Sequence, residues 1–139
     1  MKRIVGLTRS KVVRAASGAS LALMLLATPV LASSYTSTFD FSATTLNGQT
    51  RYYSGTYVAI QFDTYIVNGS GSGSIRTELW RNGGCWWGCN TYIGYVTGPY
   101  VGFSQGYWYN VGSGNYYFVF KKLADGIEIA SDDVQMWSN

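Results

Sequence analysis

The sequence predicts an all-β fold: a single antiparallel β-sandwich, jelly-roll or immunoglobulin-like, of seven to nine short strands. Three observations predict it. From Ser33 onward the chain is crowded with rings, holding all 12 Tyr, all 5 Trp and all 6 Phe, and aromatic and β-branched side chains suit a pleated, half-buried surface. Apolar and polar side chains alternate over several runs, the period of a strand with one buried face. Turn residues interrupt these runs at intervals of roughly 8–12 residues, the spacing of sandwiches and barrels. No segment after residue 32 keeps helical periodicity for three turns.

The first element is a leader. Lys2, Arg3, Arg9, Lys11 and Arg14 make a positive start, Leu21–Ala27 a short apolar core, and Val30-Leu31-Ala32 a small-residue cleavage site. This pattern predicts a secretory signal peptide over residues 1–32 and one domain over 33–139. A membrane span needs about 20 apolar residues, and Ser17, Gly18, Ser20, Thr28 and Pro29 interrupt this stretch. No Arg-Arg pair is present and no cysteine directly follows the site, so the general secretory route is expected. Once the leader is removed, the formal charge of +3 over 139 residues disappears. Ser33–Asn139 carries all seven acids but five of the ten bases, a net −2. That argues against a nucleic-acid partner, which needs a basic footprint. The chain has no histidine, which excludes Ser-His-Asp and Cys-His catalysis and histidine-ligated metal sites.

The strands follow in order. Tyr35–Phe41 alternates, with Tyr35, Ser37, Phe39 and Phe41 on one face. In the next run Val58, Ile60, Phe62 and Ile66 oppose Tyr57, Ala59, Gln61, Asp63 and Tyr65. Then Ile75, Thr77 and Leu79 oppose Arg76, Glu78 and Trp80. Further strands are expected over Thr91–Thr97, Tyr100–Phe103, Gly106–Val111, Tyr116–Leu123 and Ile127–Trp137, the last with a break near Ser131. Gly98-Pro99, Gly112–Asn115 and Asp125-Gly126 mark turns, and Asn68–Ser74 a flexible loop.

That loop reads as the tip of a hairpin, with Ile66 beside Ile75, Thr64 beside Thr77 and Phe62 beside Leu79. Tyr57, Gln61, Asp63, Tyr65, Arg76, Glu78 and Trp80 would then share one surface. Rings beside amide, carboxylate and guanidinium groups suit a sugar: the ring stacks on axial C–H groups and the polar groups bind hydroxyls. The same residues would equally make an ordinary solvated sheet face, with Arg76 shielding the two acids. Asp63 opposite Glu78 has the residue types of a glycosidase pair. Opposed Cβ atoms only about 5 Å apart and a neighbouring arginine that lowers carboxylate pKa do not favour hydrolysis, so no catalytic residue is assigned.

Cys85-Trp86-Trp87-Gly88-Cys89 fits a three-residue hairpin loop with Gly88 in the left-handed position. The flanking cysteines would close a disulfide, expected in an extracellular chain, and would hold Trp86 and Trp87 outward for glycan or a membrane interface. Alternatively the tryptophans fold back onto the sheet. Asp125, Glu128, Asp132 and Asp133 cluster without a calcium-loop spacing, so no metal and no cofactor are expected.

Gly112-Ser113-Gly114-Asn115-Tyr116-Tyr117-Phe118-Val119-Phe120 resembles the glycine-then-Tyr-Tyr strand near the end of many small secreted jelly-roll modules, of the pre-peptidase C-terminal and carbohydrate-binding types. The resemblance implies a β-sandwich and a noncatalytic accessory role, and it transfers no binding residue. The leading expectation is therefore a secreted module that binds glycan or cell-wall material through Trp80, Trp86, Trp87, Tyr65 and Gln61, with Asp63, Arg76 and Glu78 bonding hydroxyls. The alternatives are a small antimicrobial or membrane-active protein, an extracellular matrix or coat protein, and an inhibitor of another protein.

Overall fold

The computed structural model describes residues 32–139; the expected leader, save Ala32, lies outside them. Among the described residues nine strands form: β1 (Ser34–Phe41), β2 (Thr45–Asn47), β3 (Arg51–Tyr53), β4 (Tyr57–Asn68), β5 (Ser74–Arg81), β6 (Thr91–Pro99), β7 (Gly102–Tyr109), β8 (Gly114–Lys121) and β9 (Glu128–Ser138). They make two antiparallel sheets packed on each other, as expected of a β-sandwich. The first has the order β1-β9-β4-β7 and the second β2-β8-β5-β6, with β3 also on β8.

Three elements differ from the sequence reading. β2 and β3 were not foreseen. They are three residues each and pair successive parts of β8, so together they form one interrupted edge strand. Two runs expected around Gly106 are largely one strand, β7. A Cβ on Gly106 would sit 2.8 Å from the Trp108 ring and from Val96, so this glycine makes room for an indole instead of turning the chain. The break expected near Ser131 is a bulge: Ser37 pairs Val134 while Phe39 pairs Ser131, so Asp132 and Asp133 of β9 stand opposite the single Thr38.

The apolar rows are where alternation puts them. Val58, Ile60 and Phe62 of β4, Ile75 and Leu79 of β5, Tyr116, Phe118 and Phe120 of β8, and Ile129, Val134 and Met136 of β9 are all buried. The expected hairpin does not form. β4 and β5 lie in different sheets, and residues 69–73 carry the chain across, with Gly69 at φ 89° and Gly71 at φ 146°. Two apolar rows can be buried side by side or face to face, and a period of two is the same in both cases. Among the described residues β5 and β6 are the only consecutive strands that pair.

The turn after β8 is pinned by a buried cation. The Lys122 side chain has no solvent exposure and places its ammonium 2.7 Å from Asp125 Oδ1, 5.6 Å from the Tyr100 ring centre. Tyr100 donates its hydroxyl to Asp125 Oδ2 at 2.6 Å, and the Ile127 amide donates to Oδ1 at 3.0 Å. The hydrogen bonds from Lys122 and Tyr100 hold the Asp125 carboxyl well below the usual carboxylate range. Burial, reinforced by Asp125, pushes the Tyr100 phenol up to about 12. Removing the acid strands a desolvated ammonium. Asp125→Asn is therefore expected to lower the melting temperature at pH 7. Because the folded-state pKa is depressed, this stabilisation is present above the unfolded pKa and lost as pH falls through the folded one. Melts of the two proteins should converge in strong acid; an equal gap at all pH values would refute this role.

Candidate functional site

The eight residues proposed from sequence divide among three places. Gln61, Asp63 and Tyr65 face outward from β4 in the first sheet, and Arg76, Glu78 and Trp80 face outward from β5 in the second. Trp86 and Trp87 occupy the loop between β5 and β6. The single surface expected to join the β4 residues to Arg76, Glu78 and Trp80 does not exist. Asp63 and Glu78 lie on opposite outer faces of the sandwich and cannot flank one glycosidic bond. Instead, Asp63 pairs in register with Phe103, and Tyr65 donates its hydroxyl to Asp132 at 3.0 Å.

The second sheet holds the more organised cluster. Glu78 is only 2% exposed although it faces outward. Its carboxylate accepts from Trp80 Nε1 at 2.9 Å and Lys121 Nζ at 3.1 Å, and pairs with Arg76 Nε at 2.9 Å. Burial alone would push this carboxyl up. The Trp80 and Lys121 hydrogen bonds, with the Lys121 and Arg76 charges, outweigh it and hold the group below the usual glutamate range. With every donor aimed at the ionised form, Glu78 is a fixed anion that orients its neighbours. It has no proton to give and is poorly suited to take one.

Its main dependent is the Trp80 indole. Trp80 is register partner to Tyr92 on β6 and Tyr117 on β8. The rings meet at 5.2 Å and 58° with Tyr92, and at 6.5 Å and 17° with Tyr117. A bulge between the Leu79 and Trp80 pairs lets β6 present both Tyr92 and Tyr95 on this face. The Arg76 guanidinium lies 3.9 Å from the Tyr95 ring centre and donates to the Tyr92 hydroxyl. Strong aromatic, cation–π and charge-assisted contacts therefore lock the ring face in place.

Beside Trp80 runs an open groove of about 450 Å³, bounded by Asn47, Thr50, Trp80, Asn82, Asn90 and Tyr117. This lies within the range of about 300–1,000 Å³ typical of small-ligand sites. Asn82 and Asn90 also tie down the base of the Trp-Trp loop. Asn82 Oδ1 accepts from the Gly84 amide at 3.0 Å, and Asn90 Oδ1 from the Gly83 amide at 3.4 Å. The loop is longer than the tight hairpin expected. The ladder ends at Arg81 and Thr91, so the cysteines do not face each other across strands. They are nevertheless joined, with Cα atoms 5.9 Å apart, and Gly88 adopts the expected left-handed conformation at φ 72°. Trp86 and Trp87 do not fold back: they are 96% and 92% exposed.

A larger cleft, about 600 Å³, opens between the β1 and β2 edges. Its floor is the core itself, with Phe39, Phe118, Phe120, Val134 and Met136 each at most 8% exposed, and its rim carries Asp40, Arg51, Tyr65 and Asp132.

Sequence reasoning missed Tyr92, Tyr117, Lys121 and the asparagines. Alternation does put Tyr117 and Lys121 opposite the buried Tyr116, Phe118 and Phe120, but not next to β5. The four C-terminal acids do not gather. Asp125 holds Lys122, Asp132 accepts from Tyr65, and Asp133 accepts from Gln135. The neighbouring Asp40 carboxyl raises the pKa of Glu128. Among the described residues no cluster could hold a metal ion. The chain matches no described protein family and no characterised protein sequence.

Proposed function

We propose that the protein is a secreted, noncatalytic module that binds glycan or cell-wall material in the groove over Trp80. The observation that carries this reading is the Trp80 ring, held by the buried Glu78 carboxylate between Tyr92 and Tyr117 and bordered by three asparagine side chains. A fixed ring face next to planar amides matches a pyranose, which has one C–H face and a rim of hydroxyls. Fixing these groups before binding removes much of the ordering cost. Trp86 and Trp87, exposed in the loop that follows the same strand, supply two further rings. The donor-saturated Glu78 and the remote Asp63 support a binding role over a hydrolytic one.

The test is co-sedimentation with peptidoglycan, cellulose, chitin, xylan and liposomes, against inert beads. Retention on a polysaccharide, competed by its soluble oligomer, is expected. Trp80→Ala should weaken it about tenfold or more, as loss of a central aromatic anchor does. Retention on no polysaccharide, or retention indifferent to Trp80, Trp86 and Trp87, would sink this reading. The near-complete exposure of Trp86 and Trp87 favours one second reading, contact with a membrane interface; retention on liposomes alone would establish it.

A further inference from the structure

The outer face of the first sheet carries an arrangement that the groove does not use. Gln105 on β7, Gln61 on β4 and Gln135 on β9 are register partners and form one row across three strands. Hydrogen bonds run along it in one direction. Gln105 Nε2 donates to Gln61 Oε1 at 3.3 Å, Gln61 Nε2 to Gln135 Oε1 at 2.9 Å, and Gln135 Nε2 to Asp133 at 2.9 Å. The amides orient one another. Each of Gln61 and Gln135 keeps one N–H outside the row, and the Gln105 carbonyl accepts no bond within it.

One register step away, Tyr107 and Trp137 flank Ala59. Their rings meet edge to face at 5.8 Å and 82° above an alanine with no exposed surface. Tyr57 and Tyr109 continue the cluster at 5.9 Å. On the other side of the amide row stands Phe103, 56% exposed. The face thus reads aromatic, amide, aromatic, built on rigid strands and separated from the Trp80 groove by the whole core.

Charge selects the occupant. β4, β7 and β9 contain no Lys or Arg, and Asp63 and Asp133 stand near the row, so a polyanion would be repelled. A lipid tail would strip water from three amides without replacing their hydrogen bonds. An uncharged polyhydroxylated chain satisfies both groups at once, with its C–H faces on the rings and its hydroxyls on the amides.

We infer that this face is a second, independent site for an uncharged polysaccharide, so that one copy of the protein bridges two glycan chains. The inference takes its polymer chemistry from the reading above but rests on different residues in the other sheet. Bridging makes capture of a second chain effectively intramolecular at a polymer surface, which raises retention without new contacts.

The test is calorimetric titration of the protein with cello-, xylo- and chito-oligosaccharides, together with a capture assay. Protein loaded on the matching insoluble polymer is exposed to the fluorescent oligomer. Two equivalents bound are expected for the unaltered protein, and one each for Trp80→Ala and for Trp137→Ala. Each variant should lose capture to the bead background. Tyr109→Ala, at a position 67% exposed, serves as the variant that leaves folding intact and should weaken the second site about tenfold. One equivalent, lost in Trp80→Ala and kept in Trp137→Ala and Tyr109→Ala, overturns the second site and leaves the first. One equivalent with the reverse pattern supports this face and overturns the groove. No binding overturns both, and a reversible dimer abolished by Tyr109→Ala assigns the face to a second copy instead.

Discussion

Phe62→Ala is expected to lower the unfolding free energy by about 3–5 kcal/mol, a large share of the roughly 5–15 kcal/mol that a domain possesses. Phe62 is 2% exposed and is one of the aromatic links between the sheets. It comes from β4 in the first sheet and meets Phe120 of the second at 5.7 Å and 79°. It also meets Phe39 at 5.6 Å, and Phe39 in turn meets Phe120 at 4.7 Å. Alanine would leave a hole bounded by two rings from opposite sheets, which close-packed strands cannot collapse to fill. A melting temperature lower by more than about 10 °C should accompany it. A double-mutant cycle with Phe120 tests the arrangement itself: a coupling of about 0.5–1.5 kcal/mol is expected of such a ring pair. Additive losses would show that the two rings do not meet across the core.

Replacing Glu78 should have the largest effect on the binding groove. Glu78→Gln removes the anion that holds Trp80, Lys121 and Arg76, and the expected cost is about 2–3 kcal/mol. It stays below the sum of the separate bonds because Arg76 and Lys121 are 45% and 43% exposed and can turn to water. The pH dependence has a definite sign. The folded-state pKa of Glu78 is depressed, so its stabilisation is present above the unfolded pKa and is lost only as pH falls through the lower, folded one. Binding to glycan and the Trp80 fluorescence should therefore persist through the range where an ordinary glutamate titrates, then fail together in stronger acid. In Glu78→Gln that acid step should vanish and affinity at neutral pH should drop about tenfold or more. If binding at pH 7 survives the substitution unchanged, Glu78 does not position the ring.

Part of this site was legible in the primary structure. Gln61, Asp63 and Tyr65 alternate against Ile60, Phe62 and Thr64, and Arg76, Glu78 and Trp80 against Ile75, Thr77 and Leu79. Every one of those buried and outward assignments holds. What failed was the step from face to neighbour. The short loop at residues 69–73 invited a hairpin, yet β4 pairs with β7 and β9, and β5 with β6 and β8. Asp63 and Glu78, facing each other in the hairpin, ended on opposite sides of the protein. The Gln105–Gln61–Gln135 row was invisible for the same reason: its members are 44 and 74 residues apart in the chain, and nothing in a local period brings them together.

The amino-acid sequence by itself therefore determined the β class, the apolar rows of the core, the outward position of Tyr65 and Trp80 and the left-handed turn at Gly88. Those are local consequences of side-chain size, polarity and backbone freedom, and they recur every second residue wherever the strand is placed. The tertiary structure alone decided which strands lie beside one another, that Glu78 is buried among Trp80, Lys121 and Arg76, and that the aromatic and amide groups form two opposed surfaces in place of one. Those outcomes depend on how two apolar rows find cover. Burial against the opposite sheet removes the same surface from water as burial beside a neighbour, so the choice belongs to the packing of the whole chain.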